Sequence, residues 1–170
     1  MSVEIQKRSS LKIAVIICIA LVLVATASIG ATQRLSGGIM FAGTRPTNIG
    51  IQSGKLAACP GTPNCVNSQS QDAQSKIEPL AYSSTPAQAM AKLKTVIEEM
   101  ERTNIITETD NYLYAEFTSK LMGFVDDVEF LLDDSAKVIH VRSASRLGQS
   151  DLGVNRKRIE AIREKFNEKM

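Results

Sequence analysis

The chain has 170 residues, with 20 Lys and Arg against 18 Asp and Glu, three Cys, one His and no Trp. That length holds one small domain and one further segment, and excludes two full domains. An apolar fraction of 44% with 22% charged residues excludes a wholly disordered chain, and a net charge of +2 gives no global field for nucleic acid.

The further segment comes first. Residues 13–33 are 21 consecutive uncharged residues behind Lys7, Arg8 and Lys12, and as a helix they would reach about 31 Å, enough to cross a bilayer. The spacing predicts a membrane anchor or a signal segment. Ala25-Thr26-Ala27 is a small-x-small pattern that would allow cleavage before Ser28, while the length of the uncharged run favours retention. Residues 1–12 carry three positive charges and one negative. The positive-inside bias therefore puts this basic N-terminus in the cytoplasm and the rest of the chain beyond the span in a periplasm or an equivalent lumen, where disulfides persist. A cleaved signal would leave the chain secreted to that same compartment.

Residues 34–55 read as a flexible Gly-rich linker, because seven of the ten Gly and three of the five Pro lie between residues 30 and 63. A single α+β domain is expected over 56–170. At its start Cys59 and Cys65 stand in a C-x5-C loop with Pro60, Gly61 and Pro63. The spacing suits neither a C-x-x-C redox pair nor a zinc knuckle, and a short structural disulfide is the favoured reading, with reactive or metal-binding thiols as the alternatives. No cofactor signature and no metal site is expected.

Thr85-Pro86-Ala87-Gln88 reads as N-cap, N1 proline and capping-box partner of a helix to about Arg102, with Met90, Leu93, Ile97 and Met100 on its buried stripe. Four antiparallel strands follow as a meander over about 104–109, 112–119, 124–132 and 138–145. Leu113, Ala115 and Phe117, then Phe124, Val128, Phe130 and Leu132, then Ile139 and Val141 share the core face. Matching core faces puts Glu129 opposite Arg142 in the last hairpin and turns Asp126 toward the apolar side near Ser145, with Arg146 as its expected partner. A last helix over about 154–167 turns Ile159, Ile162 and Phe166 inward, and the two helices cover one sheet face.

CPGTPNCVNS at 59–68, GFVDDVEF at 123–130 and RSASRLGQSDLGVNRKR at 142–158 resemble the hallmark stretches of a bacterial and plastid domain-of-unknown-function family. The likeness spans roughly residues 56–168; it implies a domain boundary and no chemistry.

Residues 98–134 hold 2 positive and 11 negative charges, and residues 137–170 hold 9 positive and 4 negative. The plainest consequence is an internal ion-pair network fastening the C-terminal helix and loop to the sheet. A sharper one is a ligand corner for a carboxylate or phosphate, in which Arg142, Arg146 and Arg156 join Ser150, Asp151 and Asn155 where the last strand hands over to a helix N-terminus; Ser150 or Asp151 would otherwise simply cap that helix. Catalysis would fall to Asp126, Asp127 and Glu129, with Ser143 or Ser145 as weak nucleophiles, but Asp126 and Asp127 are strand neighbours that face opposite ways and His140 points away from both serines. Two functions remain. One is a membrane-tethered binding or assembly module that engages an unknown protein or small anionic ligand through the arginine corner or through an outer sheet face carrying Tyr112, Tyr114, Glu129, His140 and Arg142. The other is an envelope or lumenal hydrolase or transferase using the acidic and arginine residues. No nucleic-acid partner is expected.

Overall fold

A computed structural model describes residues 41–168. The expected span over 13–33 and the first part of the linker lie outside these residues. Among the described residues no helix is long and apolar enough to cross a membrane.

The domain is α+β: a six-stranded antiparallel sheet with two helices. Its strands are β1 (Cys65–Asn67), β2 (Leu80–Ala81), β3 (Thr103–Glu108), β4 (Tyr112–Thr118), β5 (Val125–Asp133) and β6 (Val138–Ser145). Their order is β1-β6-β5-β4-β3, with β2 also pairing β6. The expected meander is β3 to β6. The two additional strands are short pieces bracketing the polar run after the cysteine loop, too short to show a period of two, and they pair beyond β6 because that edge would otherwise expose its backbone.

The register fixes what each face carries. Asp126 lies opposite Ser145, Val128 opposite Ser143 and Glu129 opposite Arg142, the pairing that matching core faces requires. Leu113, Ala115, Phe117, Val128, Phe130, Ile139 and Val141 therefore enter one core. Phe124 precedes β5 and stays partly exposed, contrary to its expected place in that core, because the β4–β5 turn ends on it: Ser119 N donates to its carbonyl at 2.8 Å.

Helix α1 (Pro86–Glu98) and helix α2 (Val154–Glu168) cover that face. The N-terminus of α1 closes as a capping box, Thr85 Oγ1 accepting from Gln88 N at 3.3 Å and Gln88 Oε1 accepting from Thr85 N at 3.2 Å. Leu93, Val96 and Ile97 from α1 meet Ile159, Ile162 and Phe166 from α2 over the sheet.

The opposite face is covered too, which the sequence reading did not anticipate. Residues 41–58, most of them within the expected linker, lie across it as an irregular strap. Gly50 N donates to Glu129 Oε1 at 2.8 Å, and Asn67 Nδ2 donates to Ala57 O at 2.9 Å. Leu56 packs with Tyr112, Tyr114 and Leu131. At its start the strap is pressed onto the chain after β6: Gly43 holds φ +65°, and a Cβ there would stand 2.9 Å from Arg146 Cβ. Only glycine suits that approach.

Candidate functional site: the arginine cleft beneath the strap

The face under the strap is built by parity. Tyr112, Tyr114 and Glu116 on β4, Asp127 and Glu129 on β5, and Arg142 on β6 alternate with the core residues and so point away from the helices. They are buried rather than an exposed contact surface: Tyr114, Asp127, Glu129 and Arg142 each retain 3% or less of their surface. The strap supplies the second layer that excludes water from this face. His140, near the sheet's other end, remains partly exposed.

Two ionic groups result. Glu129 accepts from Arg142 Nη1 at 3.0 Å, from the Tyr112 hydroxyl at 2.8 Å and from Gly50 N. Asp127 accepts from Arg146 Nε and Nη2 and from the Tyr114 hydroxyl at 2.6 Å. Arg146 Nη2 also meets Glu116, which Arg45 reaches from the strap at 2.5 Å. Burial, reinforced by these carboxylates, raises both tyrosine hydroxyls far above their ordinary range, so both stay protonated and donate. Burial alone would raise Glu116, but Arg146 and Arg45 outweigh it and hold its carboxyl below the usual value. The Arg146 guanidinium is raised, first by its bonds to Asp127 and then by Glu116 against the opposing effect of burial.

Arg146 does not pair with Asp126, as the sequence reading expected. It continues the even-numbered alternation of β6 and so falls on the Asp127 side. On the helix side Asp126 is met by Arg158 from α2, whose guanidinium also lies 4.9 Å from the Phe117 ring centroid.

Beside this network lies a cleft of about 320 Å³, walled by Pro46 and Asn48 of the strap, by Ala58, Cys59 and Pro60 of the cysteine loop, and by Asp127, Arg142, Ala144, Ser145 and Arg146 of the sheet. Cys59 and Cys65 form a disulfide with Cα atoms 5.7 Å apart, which ties the cleft rim to β1. Among the described residues, Arg142 Nε is the one buried side-chain nitrogen or oxygen without a hydrogen-bond partner. Leaving such a donor unpaired costs roughly 1–3 kcal/mol.

The other proposed corner residues do not join this cleft. Asp151 caps α2, its carboxylate accepting from Gly153 N at 2.9 Å and Asn155 N at 2.7 Å, so it occupies the donors an anion would need. Asn155 is a buried crosslink: Nδ2 donates to Asn64 O and Ser145 Oγ, and Oδ1 accepts from Ser143 Oγ. Arg156 spends its guanidinium on the carbonyls of Gln74 and Lys76. Ser150 Oγ accepts from Leu152 N at 3.4 Å. Among the weak catalytic candidates, Asp126 and Asp127 lie back to back, and Ser145 reaches the cleft wall while its hydroxyl is held by Asn155.

Sequence reasoning missed Glu116, Arg45 and Ser68. Strand parity alone would have set Glu116 across from Asp127; no periodicity marks Arg45. Ser68 Oγ lies 3.2 Å from His140 Nδ1, and Asp133 Oδ2 lies 3.8 Å from Nε2. The arrangement resembles a hydrolase relay, but Ser68 Oγ already accepts from Val141 N and is not in the wall of the depression that holds His140 and Asp133. Burial lowers the His140 pKa against the opposing pull of Asp133, so the ring is neutral near pH 7. Among the described residues no group of three or more His, Cys, Asp and Glu side chains is arranged to hold a metal ion.

The chain belongs to the family described as "Protein of unknown function (DUF1499)", whose profile matches residues 55–166. No curated protein and no solved structure gives a significant match.

Proposed function

We propose that the chain is a membrane-tethered binding module, held by residues 13–33 with its α+β domain in a periplasm or equivalent lumen, whose cleft takes a carboxylate or similar compact oxygen acceptor on a small molecule or protein. The observation that carries this reading is Arg142 Nε, a buried donor without an acceptor on a residue of the cleft wall. An acceptor entering the cleft, with a small shift of that wall, would give Nε the bond it lacks, and the planar guanidinium suits a carboxylate. The surrounding charges come close to cancelling, because Arg45, Arg142 and Arg146 face Glu116, Asp127 and Glu129. Selectivity would therefore come from hydrogen-bond geometry more than from net attraction. The Cys59–Cys65 disulfide supports an oxidising compartment, and the basic residues before the uncharged run support the orientation.

Binding fits better than catalysis. Asp126 and Asp127 are each tied to an arginine on opposite faces, and that leaves no opposed acid and base at the cleft. The test is a thermal-shift panel on the detergent-solubilised full chain with acetate, succinate, phosphate and sulfate, run beside Ala58→Trp, which fills the cleft from an exposed rim position. Carboxylates should raise the melting temperature of the parent and not of the variant. Equal shifts in both would sink the proposal.

A further inference from the structure

The described domain has eight large hydrophobic side chains in the open, and seven of them gather at one end of the sheet. Leu121 and Met122 form the tip of the β4–β5 turn, and Phe124 follows them. Leu147 stands beside Gly43, two residues from Phe41, whose ring stacks on Phe124 at 5.3 Å between centroids. Val154 lines one shallow depression with Ser119, and Leu152 lies two residues before it. The eighth, Ile51, is elsewhere, beside Gly54 and His140.

Two features show that this end is not apolar for the sake of the fold. Leu121 and Leu152 are 92% and 87% exposed, so neither stabilises the core. Leu152 also adopts φ +54°, a left-handed conformation in which glycine or asparagine is cheaper than leucine. A patch of this kind marks a surface that something covers.

We propose that what covers it is the lipid bilayer to which the chain is tethered. This rests on the tethering reading above, and it adds which end of the domain meets the lipid. The argument is one of chain length and position. The uncharged run ends at Gln33, and the described domain begins at Phe41, which is itself part of the patch. The seven residues 34–40 reach at most about 25 Å when fully extended. The apolar end therefore stays within reach of the interface, where tethering supplies a high effective concentration and offsets most of the entropic cost of docking. The tip Ser119-Lys120-Leu121-Met122-Gly123-Phe124 carries one lysine and no acid, as suits a loop entering headgroups above acyl chains. The depression that Val154 and Ser119 line continues to Glu99, Glu101, Arg102, Lys157 and Lys165, charges of both signs that mark the edge of the apolar surface.

The chain has no tryptophan, which makes a single introduced one a clean reporter. Leu121→Trp and Ile51→Trp are compared in the full chain, reconstituted into phosphatidylcholine vesicles containing phosphatidylglycerol, with and without acyl-brominated lipid. The expected result is blue-shifted emission quenched about twofold by brominated lipid in Leu121→Trp, with Ile51→Trp unquenched. If the full chain floats with the vesicles but Leu121→Trp is unquenched, the docking proposal is overturned and the tether stands. Blue-shifted emission without quenching would mean that a second copy covers the end, and also overturns it. A chain that does not float with vesicles removes the tether and the docking together.

Discussion

The two faces of the sheet solve the same problem with different chemistry. Among the described residues the helix side buries nineteen in an aliphatic and aromatic core and admits one largely buried ion pair, Asp126 with Arg158. The strap side buries a cluster of four, Leu56, Tyr112, Tyr114 and Leu131, and, beside them, the Glu129–Arg142 and Asp127–Arg146 pairs. Ion pairs taken out of water cost several kcal/mol per ion before their attraction is counted. A layer needed only for cohesion is better built from the first chemistry than from the second. The difference assigns stability mainly to the helix side and is consistent with the proposed recognition on the strap side, where Arg142 Nε is the one orphaned buried side-chain donor among the described residues.

Breaking the pair on the helix side should have the largest effect. Arg158→Met leaves Asp126 without its cation among apolar neighbours and should cost roughly 3–5 kcal/mol in urea unfolding, while adding Asp126→Leu should restore most of that loss. A helix side indifferent to Arg158→Met would contradict the division. Reduction of the Cys59–Cys65 bond comes next. Its loop is short, so the loss should be about 2 kcal/mol, and hydrogen exchange should rise first in the strap and cysteine loop while Phe130 and Ile139 amides stay protected. Global unfolding on reduction would show that the strap side carries the fold after all.

Acid should produce the smallest effect. Burial lowers His140 in the folded state, so the unfolded chain binds the proton more readily and stability falls as pH drops below the ordinary histidine value of about 6.5. Glu116 is held low by Arg146 and Arg45, so its contribution is complete above the ordinary carboxylate range and is lost as pH falls through its depressed folded value. Melting temperature against pH should thus decline in two stages, and His140→Gln should remove only the upper one.

Much of the helix side was legible because it obeys periods. The capping box at Thr85, the stripe Leu93 and Ile97, and the alternation of Leu113, Ala115 and Phe117 each follow from local spacing. The strap side was not, since nothing periodic marks residues 41–58: their glycines and prolines read as a tether, and only the tertiary contacts of Gly50 and Leu56 show otherwise. Arg146 was legible in principle, because counting two residues on from Ala144 puts it beside Asp127; proximity along the chain end obscured that parity. Arg158 was obscured for another reason, since a long side chain on an exposed helix face can bend back into a gap that sequence does not reveal.

The most direct test of recognition on the strap side is to watch the orphaned donor. In proton–nitrogen spectra of the full chain, the Nε–H signal of Arg142, assigned by its loss in Arg142→Lys, should move saturably as succinate is added, while that of Arg158 on the helix side stays in place. An Arg142 signal that ignores succinate, or one that moves only in step with every other arginine, would contradict the account.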